Sequence, residues 1–145
     1  MVALTASPTV VAQYIFDKLT AAMGELGLSD VFLGDRDLIS STPTVCVIPG
    51  TTPRMLIGSA NRTENRIETY LVVYQGALQD FQKNVAQGGA TADRVITKIQ
   101  SDLSLGGLVI YCYCTINEPG IANRGELMFA SRLTFESVSR TMLPV

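Results

Sequence analysis

The chain has 145 residues, of which 47% are apolar and 17% charged; its formal net charge is −2 and it holds no His and no Trp. A chain of this length fits one domain spanning residues 1–145, and roughly 70% of its unfolded surface is lost on folding, so a core forms without disulfide or metal. High apolar content with little net charge excludes disorder, the missing His excludes Ser-His-Asp and Cys-His catalysis, and the absence of a Gly-x-x-x-x-Gly-Lys motif excludes a P-loop.

Ser7-Pro8 reads as a helix start, with Ser as N-cap and Pro at the first helical position. Val11, Ile15, Ala22 and Leu26, joined by Tyr14, Leu19 and Met23, make an apolar stripe at helical spacing, and Gly24 and Gly27 mark its end. Residues 28–43 read as loop, with Ser29-Asp30, Gly34-Asp35 and Ser40-Ser41-Thr42-Pro43 as turn signals and a short strand at Val31–Leu33. Thr44–Ile48 is a compact β-run whose near-continuous apolarity predicts burial on both faces. A polar stretch, Thr51–Thr63, follows, with an edge strand in Arg54–Ile57.

Glu64–Gln75 is the clearest strand. Ile67, Thr69, Leu71 and Val73 share one face, and Glu68, Tyr70, Val72 and Tyr74 the other. Leu78, Phe81 and Val85 predict a short helical piece ended by Gly88-Gly89. Thr91 then caps a second helix with Ala92, Ile96, Ile99 and Leu103 as its stripe, stopped at Gly106-Gly107. Leu108–Ile116 reads as a strand with Leu108, Ile110, Cys112, Cys114 and Ile116 on one face and Val109, Tyr111 and Tyr113 on the other. A polar tip, Asn117–Gly125, leads into Glu126–Val138. There Leu127, Phe129, Leu133 and Phe135 face one way and Met128, Arg132, Thr134 and Glu136 the other. The order predicts an α+β fold: a mainly antiparallel sheet, two main helices packed on one face, and long β-hairpin arms.

Chemistry-bearing groups are sparse. Cys112 and Cys114, two apart in a strand, point the same way and are poorly placed for a mutual disulfide. With Cys46 they read as small buried hydrophobes in a reducing compartment. A metal site on them would have only Cys46 and carboxylates to complete it. Asp30, Asp35 and Asp37 lack the spacing and the final Glu of an EF-hand and read as a solvated loop with Asx turns. Glu64, Glu68, Glu126 and Glu136 lie in alternating strands, where outward acids are ordinary. Few cations accompany Tyr70, Tyr74, Tyr111 and Tyr113, so packing is expected rather than base stacking. No catalytic, metal or cofactor-binding residue is assigned, and no enzyme activity is expected.

Charge is uneven: residues 1–53 carry two bases and five acids, and residues 54–145 nine bases and eight acids. Neither part has the clustered bases of a nucleic-acid footprint. No run approaches the ~20 apolar residues of a membrane span. The N-terminus has no basic region before its apolar residues, so no signal peptide and no secretion are expected, and Asn61-Arg62-Thr63 is then a chance sequon.

In segment order the chain resembles the tail-terminator (tail-completion) proteins of long-tailed bacteriophages. Four features carry the likeness: the amphipathic helix Pro8–Leu26; the buried strand in Pro43-Thr44-Val45-Cys46-Val47-Ile48-Pro49; the long strand Arg66–Tyr74 followed by the helix Ala92–Leu103; and the final hairpin, 108–138. The resemblance implies a homo-oligomeric ring, typically a hexamer, that sits on the tail tube, ends its growth and meets the head connector. It implies a lumen through which DNA passes without sequence recognition, assembly in the host cytoplasm, and a place in the virion tail or neck. It carries over no catalytic residue and no cofactor.

A closed ring needs two different patches per subunit. The expected ones are an arm holding Arg54, Met55, Leu56, Ile57 and Arg62, and the hairpin tip with Glu118, Ile121 and Arg124, where Ile121 projects among polar residues. The surplus acids of residues 1–53 are candidates to line the DNA passage. Another neck or tail-tube subunit, and a small dimeric ligand-binding α+β domain, are the alternative readings.

Overall fold

The computed structural model describes residues 6–50, 54–56, 62–77 and 81–142, with side chains from 6–50, 64–76 and 89–139. Its elements run α1 (Pro8–Ala21), α2 (Met23–Leu26), β1 (Asp30–Leu33), β2 (Thr44–Pro49), β3 (Arg54–Leu56), β4 (Arg62–Ala77), α3 (Phe81–Gln100), β5 (Tyr111–Asn123) and β6 (Leu127–Met142). The fold is α+β.

Ser7 caps α1 through its hydroxyl, which accepts from the Val10 N–H at 3.3 Å, and Pro8 follows as the first helical residue. Val11, Ala12, Ile15 and Leu19 form its buried stripe. The stripe expected to run unbroken to Leu26 is interrupted at Ala22, and α2 ends where Gly27 turns left-handed at φ 70°.

The strands form one sheet in the order β1-β2-β4-β6-β5, with β3 beside the start of β4. Only β1 and β2 run parallel among the described pairs, joined by the crossover 34–43. β4 is the axis. It pairs with β6 from Arg62–Met142 to Ala77–Met128, and on its other side with β2 and β3. Strand parity then separates two faces. Ile67, Leu71 and Val73 join Val45, Val47, Leu133 and Phe135 against α1 and α3 in the main core. Both helices therefore lie on one side. The opposite, outer face has a smaller core of Ile39, Cys46, Tyr74, Met128 and Ala130.

Four local expectations are corrected. Gly88-Gly89 does not end a helix, and Thr91 is not a cap: α3 runs through both, with Ala92, Val95 and Ile99 buried and Leu103 51% exposed beyond its end. Packing of that stripe outweighs a glycine penalty of about 1 kcal/mol per residue. Ile116 does not share the face of Cys112 and Cys114. A bulge at Thr115 shifts the register, so Cys114 opposes Phe135 while Ile116 opposes Thr134 on the outer face. The polar tip is short: strand pairing continues to Asn123–Leu127, leaving 124–126 as the turn. Pro119-Gly120 sits inside β5 because β5 is an edge strand, where a missing N–H breaks no ladder.

The α3 correction has a direct test. Gly89 is exposed and nothing stands within 4 Å of the position its Cβ would occupy. Gly89→Ala is expected to raise unfolding stability by roughly 0.5–1 kcal/mol in urea titration. A loss of stability would show a helix break at that point.

Candidate functional site

The described polar side chains converge most densely on the outer face, at the end where β4 stops and the β5–β6 hairpin turns. The chain arrives there from β1. Gly34, at φ 97°, reverses it, and its N–H donates to the Val47 carbonyl at 2.7 Å. Asp35 is thereby set over β4. Its Oδ1 accepts from the Tyr74 hydroxyl at 2.8 Å and from the Arg36 N–H at 2.9 Å. Arg124 comes from the hairpin end. Its Nη2 donates to Asp35 Oδ2 at 3.0 Å, its Nε to the Tyr74 oxygen at 3.0 Å and its Nη1 to the Asn123 carbonyl at 2.8 Å. The Ile39 N–H donates to the Arg124 carbonyl at 3.1 Å, so backbone and side chain of one residue hold the crossover. Gly125, at φ 91°, makes the turn, and a side chain there would run into Leu38.

The charge states follow. Burial pushes the Asp35 carboxyl up, but hydrogen bonds from Tyr74, the Arg36 N–H and Arg124, with the Arg124 charge, outweigh it and the net shift is downward. Burial, and then the hydrogen bond and charge of Asp35, push the Tyr74 hydroxyl well above its ordinary value. Burial lowers Arg124, and Asp35 and Tyr74 more than restore it. Asp35 stays ionised and Tyr74 protonated through neutral pH. This trio offers no group that exchanges a proton near pH 7 and acts as a clasp. Beneath it, burial and then the Asp35 charge push the Cys46 thiol up to about 11, which leaves it neutral and a poor nucleophile.

Beside the clasp lies an open groove of about 450 Å³ floored by Ile48, Tyr70, Val72 and Ala130 and walled by Arg124 and Arg132. Cations are present over these tyrosines, contrary to expectation: Arg124 lies 5.5 Å from the Tyr74 ring centre and Arg132 5.0 Å from that of Tyr70. A second recess, about 650 Å³, opens between α1 and the turn after α3, lined by Val10, Tyr14, Leu105 and Leu108. Asp102 shapes that turn by accepting from the Ser104 hydroxyl at 2.8 Å and the Gly106 N–H at 2.7 Å.

The predicted interface residues are distributed unequally. Arg54, Met55 and Leu56 form β3, and Arg62 opens β4; their side chains, and all of Ile57, lie outside the described residues. Glu118 is exposed on the outer face opposite Arg132. Ile121 is 59% exposed and opposes Phe129, on the helix side. Arg124 is not a projecting contact, because the clasp holds it down. β3 pairs at Thr63–Asn65 and the hairpin end at Gly76–Ala77, so the two arms lie roughly 40 Å apart along β4. Sequence reasoning missed the clasp, since its members are 35, 74 and 124; the one available signal was Arg124 as a lone cation beside a turn glycine. Asp30, Asp35 and Asp37 form no metal cluster among the described residues. Two of the five acids proposed to line a passage are in ion pairs, Asp35 with Arg124 and Glu25 with Lys98.

The clasp predicts an acid dependence. Because the folded pKa of Asp35 is depressed, its contribution is present above its unfolded value of about 3.9 and is lost as pH falls through the folded value. Its exposure limits the ion pair to about 0–1 kcal/mol. Asp35→Asn is expected to lower stability by up to about 1 kcal/mol at pH 6 and to flatten the decline between pH 6 and pH 3, read by urea midpoints. An unchanged acid slope would remove Asp35 from that role. Compared with known proteins, the chain matches no family model and no curated sequence.

Proposed function

We propose that the protein is a structural ring subunit of a long-tailed phage, capping the tail tube, ending its growth and meeting the head connector in the tail or neck of the virion. The observation that carries this reading is the placement of exposed apolar side chains. Ile110, Tyr113, Ile116, Ile121 and Leu127 are each at least 40% exposed and all lie on β5 or directly beside it. Of the eight exposed large apolar side chains among the described residues these five share one edge, while Leu33, Leu38 and Leu103 lie elsewhere, and a grouping of this kind marks contact with other protein. The 650 Å³ apolar recess against α1 lies near the start of β5, and Ile121 and Leu127 lie at its far end. Two dissimilar patches at separate ends suit a heterologous contact, which closes into a ring when the rotation allows.

On this reading the partners are copies of the chain in a hexameric ring, the tube subunit on one side and the connector on the other. DNA passes through the lumen with no base recognition. No helix among the described residues is long and apolar enough to cross a membrane. Another neck or tube subunit shares the same support. The groove over Tyr70 and Val72 favours a second reading, a dimeric ligand-binding domain.

Native mass measurement with negative-stain microscopy tests the ring. The unmodified protein is expected to form closed rings and to cap purified tail tubes. The double variant Ile121→Asp, Leu127→Asp is expected to remain folded, since both side chains are more than half exposed, but to run as a monomer. A monomer or two-fold dimer for the unmodified chain, with no tube capping, would refute the proposal.

A further inference from the structure

The two cores are closed in different ways. On the helix side, two helices cover the sheet. On the outer face the cover is the crossover 34–43, and only Ile39 among its side chains is buried, at 5% exposure. Leu38 beside it is 69% exposed. Ile39 sits on Cys46, Tyr74, Met128 and Ala130. The middle of the crossover is held by the Asp35 carboxylate and the Ile39 N–H, both on the clasp. Its ends are fixed separately, through the Gly34 N–H to Val47 and the Ser29 hydroxyl to the Thr42 carbonyl. The open groove continues straight from this covered patch, since Val72, Tyr74, Ala122 and Ala130 border both.

We propose that residues 34–43 are a strap with an open state, in which Ile39 lifts from the sheet, the Asp35 clasp parts, and the groove extends into an apolar trough reaching Cys46. The strap has the features of a low-stability unit: one buried anchor, exposed neighbours, and a partly exposed ion pair. The strands beneath it stay zipped, because Met128 and Ala130 pair with β4 on either side of the register shift at Gln75 and the ladder runs on from there to Arg62–Met142. Opening therefore needs no change in the sheet. The strap works whether or not the chain assembles into rings.

The thiols supply the measurement. Cys46 and Cys112 are both fully buried, Cys46 under the strap and Cys112 in the helix-side core. The full-length protein is treated with a small maleimide at pH 8, quenched at intervals, and the label located by peptide mass mapping. Cys46 is expected to react roughly ten times faster than Cys112, because local opening is more frequent than global unfolding. Urea well below the unfolding midpoint is expected to speed Cys112 several-fold while leaving the Cys46 rate nearly unchanged, because lifting the strap exposes little surface and global unfolding exposes much; Ile39→Ala is expected to speed Cys46 several-fold in buffer alone. Amide exchange across 127–133 is expected to stay slow in that variant. Equal rates at Cys46 and Cys112, a Cys46 rate that climbs with urea as steeply as that of Cys112, or fast exchange of the 127–133 amides with the strap would each overturn the proposal.

Discussion

The alternation of β4 constrains everything else. This strand is paired on both sides over most of its length, so neither its register nor its facing is free. A slip by one residue would move Ile67, Leu71 and Val73 out of the helix-side core and put Tyr70, Val72 and Tyr74 into it. The two sets differ in kind. The first is aliphatic and fully buried. The second ends in two phenols, each needing a partner when covered. The helix face therefore closes mainly by aliphatic packing, with the small hydroxyls of Thr69, Ser131 and Ser137 buried in it, whereas the outer face closes where polar groups meet Tyr74.

That difference explains why the clasp is built from distant parts. Covering Tyr74 buries its hydroxyl, and an unsatisfied buried hydroxyl is destabilising by about 1–3 kcal/mol. Asp35 accepts its proton and Arg124 donates to its oxygen, so both capacities of the group are met. Asp35 and Arg124 in turn balance each other's charge. Tyr70, farther along the same face, lies beyond the crossover with Arg132 over its ring, and its hydroxyl donates instead to Glu68 at 2.6 Å. The end of the outer face that is roofed and the part that is a groove thus differ by what stands over the phenol.

How much of this was legible can be followed residue by residue. The faces of β4 and β6 were, because Ile67, Leu71 and Val73, and Phe129, Leu133 and Phe135, fall on one parity while Glu68, Tyr70, Arg132 and Thr134 fall on the other, even though Val72, Met128 and Ala130 interrupt the polar side. β2 was too, since Val45–Ile48 is apolar without a break and only Thr44 separates it from Pro43, which leaves burial on both faces as the outcome. The continuity of α3 was not: Gly88-Gly89 is locally a stop signal, and only the tertiary anchors Ala92, Val95 and Ile99 override it. The bulge at Thr115 was hidden because both faces of β5 are apolar around it, Tyr111 and Tyr113 against Cys112 and Cys114, so parity had no polar marker. The clasp was illegible for a deeper reason. Its partners are 39, 50 and 89 residues apart, and no local pattern encodes such a pairing.

The edge formed by β5 brings these strands of argument together. A strand of 13 residues with one free side is a template for further pairing. Here it is blunted three times. The Cys114 N–H is taken by the Gln100 side chain at 2.8 Å, Thr115 bulges, and Pro119 has no N–H to offer. Yet Tyr113, Ile116 and Ile121 stand exposed along the same edge. A sequence selected only to prevent association would have placed charges there, and Glu118 is the one charge between Tyr111 and Asn123. Blocking the backbone while leaving apolar side chains uncovered favours contact through side chains over open-ended strand addition. That combination is consistent with the proposed ring: strand addition can propagate indefinitely, whereas side-chain contacts at a set angle can close.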